Sequence, residues 1–368
     1  MISSNKLFYQ NKRWPMKIFH NSKGILKTSA IVTFFFFSLT VVACKKEQIK
    51  KGNTPEAFSI GVILAYDSSS SLEVFEAMKQ KLNDYQKKSG EKLILNVEKA
   101  HGEVALLPEQ AARLAGRCRL LVAISTPALQ AAMINTENIP IVFSSVANPY
   151  LVRAGRTAVD HDPRVTGVCS TAPIRQVMEL IKTLCPKAKK IGTIWTPSEI
   201  NSEYYLRIMD ETAGDLGLDI VSQSISGAQD IVQAVQTLIR EKIEVFFPVS
   251  DNTINANFDL VAGLARENNL PLFSAFTLGA EFGALASMGF DYKDIGSKTA
   301  DIVIRIKNGE SPARIPFQYV DKLRLYLNEE QAKKLGLKFP RELIKKADGL
   351  IQQTRFTNSI ARKGARSE

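Results

Sequence analysis

The chain is poor in the residues that carry out chemistry. It holds three histidines, His20, His101 and His161, among 368 residues, too few for histidine-based metal chemistry. Its four cysteines, Cys44, Cys118, Cys169 and Cys185, show no CxxC spacing, which argues against a zinc site or a disulfide framework. Cys118, Cys169 and Cys185 read as small apolar residues in packed positions. The GxSxG, HExxH, P-loop and GxGxxG patterns are all missing, and His101 and His161 lie in loops, away from the strand ends where a Ser/His/Asp set would be built. No apolar run reaches the roughly 20 residues of a comfortable bilayer span. Positive charge is also scarcer than the formal +11 suggests. Six of the 48 basic residues and none of the 37 acidic ones fall in 1–43, so the rest carries only +5. That balance gives no reason to expect a nucleic-acid partner.

What is present begins near the N-terminus. Residues 30–44 read AIVTFFFFSLTVVAC, after Lys17, Lys23 and Lys27 and before Lys45 and Lys46. A basic segment, a short apolar run and a small residue form an export signal, and 16–44 alone makes a complete one. The ending Val41-Val42-Ala43-Cys44 resembles the lipobox of bacterial lipoproteins. That resemblance implies a signal peptide over 1–43, a lipid on the Cys44 sulfur and a body working outside the cytoplasm, tethered to a membrane. Residues 44–57, polar and carrying Gly52 and Pro55, read as the tether.

From Phe58 onward, short β-rich apolar runs alternate with helical patterns. Strands are expected at 58–66, 92–97, 119–125, 140–146 and 165–171, with helices at 71–88, 108–116 and 127–134. The order then restarts, with strands at 190–195, 218–224, 245–250, 271–275 and 283–291 and helices at 173–184, 199–215, 228–241, 253–268 and 293–308. Near-continuous apolar strands separated by helices predict parallel sheets covered on both faces. Two successive β/α series predict two similar lobes. Residues 347–368 show little apolar periodicity, and seven basic against three acidic residues over 341–368 make the end a flexible basic tail.

In parallel α/β sheets, ligands bind where strand ends meet helix starts. The strand ends here are rich in hydroxyls and amides: Asp67, Ser68 and Ser69 after the first strand, Ser125 and Thr126 after the third, Ser145 and Asn148 after the fourth. In the second half come Ser198 and Asn201, then Asp251 and Asn252. Helix N-termini suit a carboxylate, and Ser125, Thr126 and Ser145 add donors. Asp67 and Asp251 accept from an ammonium group. Together they suit a zwitterion such as an amino acid. Each is also an ordinary helix cap, so the case rests on their recurrence in both halves. Trp195 and Phe276 are aromatic walls for a ligand or, more commonly for single apolar residues, core. Glu199 and Asp251 as a glycosidase-like acid/base pair are the enzymatic alternative, with only their position at strand ends to support it.

Several segments carry a family pattern: LLVAISTPALQAA (120–132), IPIVFSSVANPYLV (139–152), VTGVCSTAPIRQVMELIKTLCPKAKKIGTIWTPSEINSE (165–203), VFFPVSDNTI (245–254), GALASMGFDYKDIGSKTADIVIRIKNGESPARIP (283–316) and YLNEEQAKKLGLKFP (326–340). Over about 58–340 the chain resembles the ABC transporter substrate-binding proteins of the tryptophan/tyrosine-binding-like family. The resemblance implies an α/β protein of type I periplasmic-binding architecture: two Rossmann-like lobes with parallel sheets, joined by crossings near 166–171, 275–284 and 316–324. Lobe 1 would comprise 58–168 with 284–318, and lobe 2 169–283 with 319–346. It implies a monomer that is no enzyme, needs no cofactor and works with a permease and its ATPase. The ligand loops would be 67–70, 125–126, 145–148, 198–202 and 251–252. Two departures bear on the ligand. Asn148-Pro149 stands where the family commonly has Asp-Pro, and DSSSS replaces the usual Glu-His-Pro form of the first loop. A lipoprotein that senses ligand and signals to a membrane partner is the alternative with the same fold.

Overall fold

The computed structural model describes residues 57–355. The expected signal, Cys44, nearly all of the tether and the last part of the tail lie outside the described residues. Among the described residues, no helix is long and apolar enough to cross a membrane.

The first lobe runs β1 (Phe58–Leu64), α1 (Ser69–Ser89), β2 (Leu93–Lys99), α2 (Leu107–Ala115), β3 (Leu120–Ile124), α3 (Thr126–Asn135), β4 (Ile141–Val146) and β5 (Val165–Cys169). These strands pair in parallel in the order β2-β1-β3-β4-β5, and β11 (Gln318–Tyr319) extends the far edge. Alternation along β1 decides which face each residue serves. Ile60, Val62 and Leu64 point into one core with Val74, Phe75, Met78 and Leu82 of α1. Ile63 points into the other, with Leu107, Ala111 and Leu114 of α2. Each such fully buried side chain contributes about 1.5–3 kcal/mol. Helix α1 ends at Gly90, whose φ of 72° is the left-handed conformation a C-terminal cap requires. It packs along α10 (Tyr292–Lys307), where Gly296 permits the approach: a Cβ there would lie 2.3 Å from the Val74 carbonyl oxygen.

The second lobe runs α4 (Ile174–Leu184), β6 (Lys190–Trp195), α5 (Ile200–Leu216), β7 (Asp219–Ser224), α6 (Ile231–Arg240), β8 (Val245–Phe246), α7 (Asn252–Ala256), α8 (Phe258–Glu267), β9 (Phe273–Ser274), α9 (Gly279–Phe282) and β10 (Ala286–Phe290). After β11 the chain returns as β12 (Leu323–Asn328), α11 (Glu329–Lys334), α12 (Arg341–Lys346) and β13 (Gly349–Ile351). The sheet is split into β7-β6-β8 and β9-β10-β12-β13, linked by a single bridge between Phe246 and Leu272. Strands β8 and β9 are only two residues long, shorter than the expected runs over 245–250 and 271–275. β10 and β12 pair antiparallel, so this sheet is mixed.

The chain passes between the sheets at 170–173, 291 and 320–322. The second passage differs from the expected 275–284. Residues 286–290 pair with β9 and β12 of the second sheet, so the segment 284–318 is not wholly part of the first lobe. The reason is hydrogen bonding: β10 pairs on both edges in the second sheet, so the return to the first lobe begins only with α10. The expected loose tail is also corrected over 348–355. β13 adds to β12 in parallel, the Asp348 carboxylate accepts from Arg324 and the Leu325 N–H, and Thr354 is buried against Asn328. Residues with little apolar periodicity are held here by polar side chains. Cys118, Cys169 and Cys185 are free thiols, and Cys169 is buried, as packed apolar positions require.

Candidate functional site

Residues following β1, β3, β4, β6 and β8 line one small cavity between the lobes, of about 50 Å³. The first lobe contributes Ser70, Ser71, Thr126, Ser145 and Ala147, and the second Asn201, Tyr205, Ser250, Asn252, Asn255 and Ala275. The first crossing adds Ser170 and Ala172, and Phe290 and Tyr292 flank the second. No charged side chain is among these lining residues.

Local backbone chemistry sets the first-lobe wall. Ser68 caps α1: its Oγ accepts from the Ser71 N–H at 3.2 Å. Helix rotation then turns Ser70 and Ser71 to the cavity and leaves Ser69 half-buried off it. Ser125 holds φ 97° and ψ 161°, strained for a non-glycine residue, and its buried Oγ has no hydrogen-bond partner. The strain delivers Thr126 to the cavity at the start of α3. A bulge in β4 between Phe143 and Val146 places Ser145 at φ 55° and re-aims its side chain to the same space. Asn148 lies outside the cavity, its Oδ1 accepting from the Tyr150 N–H at 3.0 Å in a one-turn cap.

In the second lobe the wall hangs on Glu199, which is 1 % exposed. Its Oε2 accepts from the Asn252 N–H at 3.1 Å, from Asn252 Nδ2 at 2.5 Å and from Asn201 Nδ2 at 3.3 Å. Its Oε1 accepts from the Thr253 N–H at 2.9 Å and Thr253 Oγ1 at 2.7 Å. A carboxylate that only accepts fixes the Asn201 amide with its nitrogen toward Glu199. Asn201 Oδ1 is therefore a buried acceptor without a partner. Asn255 is held by Ser250, Nδ2 to Oγ at 3.1 Å. Across the cleft, Tyr66 of the first lobe is buried near Glu199 and Thr253 of the second. Burial, then the nearby Glu199 charge, pushes Tyr66 far above the ordinary phenol range, so it stays a proton donor.

Of the residues read from sequence, Thr126, Ser145, Asn201 and Asn252 meet at this cavity, and Asp251 does not. Asp251 caps α7, accepting from the Ile254 N–H at 2.8 Å, Ser202 Oγ at 2.8 Å and the Thr196 N–H at 3.1 Å. Burial, then Glu199, pushes its carboxyl well above the usual range. It is scaffold, unavailable to an ammonium. Phe276 is core: its ring meets Phe258 edge-on at 4.7 Å. Trp195 packs partly buried against the same core. Asp67 pairs with His101 and lies 3.7 Å from Lys99 Nζ. With Ser198 it lines a second, outer cavity of about 510 Å³. Ser70 falls in the expected loop 67–70, whereas Ser71, Ser170, Tyr205, Ser250, Asn255, Phe290 and Tyr292 are not among the residues read from sequence. Ser70 and Ser71 were legible as part of the DSSSS run; the tyrosines carry no local signal.

A family model described as ABC transporter substrate binding protein matches residues 59–351. The chain is 30% identical over 291 residues to the tyrosine-binding protein of Clostridioides difficile (strain R20291), covering 78% of this chain and 84% of that one. It superposes with a TM-score of 0.76 and 25% identity on an ABC domain in complex with L-Trp from Streptococcus pneumoniae, over 80% of this chain and all of that one. On the ligand-free, open structure of a substrate-binding protein with adhesive properties from Clostridium difficile the TM-score is 0.60 at 27% identity, over 81% of this chain and all of that one. Two lobes, a polar cleft between them and a match along nearly the whole described chain lead to one conclusion: the chain belongs to the ABC transporter substrate-binding proteins, with the type I periplasmic-binding fold.

Proposed function

We propose that this chain is the lipid-anchored, extracytoplasmic capture protein of an ABC importer and that it binds a free aromatic amino acid between its lobes. The observation that carries the ligand class is Asn201. Its Oδ1 is a buried acceptor that cannot turn away, because Glu199 holds the other end of the amide. Such an atom suits an ammonium or indole N–H. Opposite it, the N-termini of α1 and α3, with Ser71 and Thr126, suit a carboxylate. A lining without charged side chains matches a ligand of zero net charge, and Tyr205, Phe290 and Tyr292 offer ring surfaces. The tyrosine and L-Trp relatives support the aromatic class.

The better superposition on the L-Trp complex than on the open structure supports reading this arrangement as the closed form. Ligand bridging both lobes stabilises that form by its differential affinity for it. The lipobox-like Val41-Val42-Ala43-Cys44 supports the anchor.

The test is thermal unfolding and calorimetric titration of the full-length chain against free amino acids, dipeptides and nucleosides. Tyrosine or tryptophan is expected to raise the midpoint with dose. Asn201→Leu should weaken that binding by about tenfold or more, the cost of an unpaired ligand donor. A shift with another ligand class alone overturns the amino-acid reading.

A further inference from the structure

The second-lobe wall of the small cavity has a fixed polarity, and a residue outside the lining sets it. The serines and Thr126 around the cavity can each donate or accept, because a hydroxyl turns. Asn201 and Asn252 also line it, and their amides are not free to turn. Glu199 stands at the N-cap position of α5, yet its side chain does not cap that helix. It reaches instead to the start of α7, where its two oxygens accept from the Asn252 and Thr253 N–H groups. Those backbone bonds anchor the carboxylate. The oxygen on the Asn252 N–H, Oε2, also accepts from Nδ2 of both Asn201 and Asn252. A carboxylate only accepts, so each amide keeps its nitrogen on Glu199 and its oxygen away from it. Asn201 Oδ1 is thereby left buried and unpartnered. Asp251, the other buried acid of this region, bonds to Thr196, Ser202 and Ile254 and holds neither amide.

We propose that Glu199 is the positioning residue that makes this site select an ammonium group, acting through Asn201 and Asn252, whose amides it holds with their oxygens toward the ligand. This rests on the amino-acid reading given above. The lining carries no charged side chain. An amide is polarised by the carboxylate it donates to, so negative charge reaches the lining from one layer behind it. The wall can then take a ligand cation without a carboxylate in the cavity. A ligand with hydrogen in place of the ammonium leaves the fixed acceptor of Asn201 unpaired, which is the source of the discrimination.

The test is calorimetric titration of the full-length chain with L-tyrosine and L-tryptophan, each beside its deaminated analogue, desaminotyrosine or indolepropionate. Wild type is expected to prefer the amino acid by at least about tenfold. In Glu199→Gln, the new Nε2 finds two amides able to turn and accept on the Oε2 side, against one hydroxyl on the Thr253 side. Asn201 then presents its nitrogen, and the preference should fall about tenfold. Damage to the scaffold alone would weaken both members of a pair alike and leave their ratio unchanged. Adding Asn201→Asp to Glu199→Gln returns an acceptor to the cavity. The Gln nitrogen donates to one oxygen of the new carboxylate and the other faces the ligand, so the double variant should regain the wild-type preference or exceed it. Should Glu199→Gln alone fail to fold, as judged by circular dichroism, the double variant carries the test, and a preference below wild type overturns the proposal. A folded Glu199→Gln variant that keeps the wild-type preference also overturns it and leaves the amino-acid reading standing. Wild type that binds neither amino acid, or each no better than its analogue, overturns the amino-acid reading and the proposal with it.

Discussion

The two lobes build the same kind of wall by different means. The first is a continuous parallel sheet with apolar residues on both faces, and it supplies hydroxyls and helix N-termini at its strand ends. It needs no buried carboxylate, and backbone strain at Ser125 and Ser145 aims the cavity groups. The second has a sheet broken at β8 and β9, and there buried side chains do what a ladder would. Glu199 and Asp251 tie the ends of β6 to α7, and Asn328, Gln331 and Thr354 tie the returning chain. A lobe with a full ladder can afford strain at its functional turn. A lobe without one spends its acidic residues on scaffolding, and so presents amides to the ligand.

Three perturbations would sharpen or break this contrast. The largest effect is expected from Asp251→Ala. It leaves two buried donors, the Ile254 N–H and the Ser202 hydroxyl, without this acceptor and removes a helix cap, so stability should fall by about 3 kcal/mol, measured by denaturant unfolding. A variant of wild-type stability with weakened ligand binding would instead return Asp251 to the ligand site. In the first lobe, Ser125→Gly should raise stability. Relief of a φ of 97° offers about 1–3 kcal/mol, offset by about 0.5–1 kcal/mol of added unfolded-chain entropy. A net gain of about 1 kcal/mol is expected, and a loss would show that the turn is not strained. The smallest effect is on the tail. Lys334, then the Thr354 N–H, draws the Glu330 carboxyl down to about 2. A depressed folded pKa contributes stability above the unfolded value, and that contribution is lost as pH falls from about 4.5 through about 2. The protection factor of the Thr354 amide should therefore fall over that window, and a Glu330→Gln variant should show no such step.

Legibility from sequence does not divide by lobe. The first-lobe elements and α4, β6, α5 and β7 of the second match their expected ranges closely, because apolar runs and capping residues are local signals. Reading was poorer where pairing is made by distant chain. The expected division puts 284–318 with lobe 1, and only the pairing of β10 with β9 and β12 assigns that strand to the second. The segment 348–355 looked loose because polar side chains, not apolar periodicity, hold it. Thr126, Ser145, Asn201 and Asn252, picked out by strand-end position, line the small cavity, whereas Asp67, Ser198 and Phe276 share that position and lie elsewhere.

The sequence by itself determined the α/β series, the export-signal pattern with its lipobox-like end and the family, since each is written in contiguous residues. Tertiary structure alone decided which hydroxyls of DSSSS face the cleft, because that depends on the rotation of α1 against α10. It also decided the use of the acidic residues. Glu199 bonds to Asn252 and Thr253, more than fifty residues away in the chain, and Asp251 bonds to Thr196 and Ser202. A carboxylate is a ligand group or a scaffold according to how many donors reach it, and those donors arrive only when the chain folds.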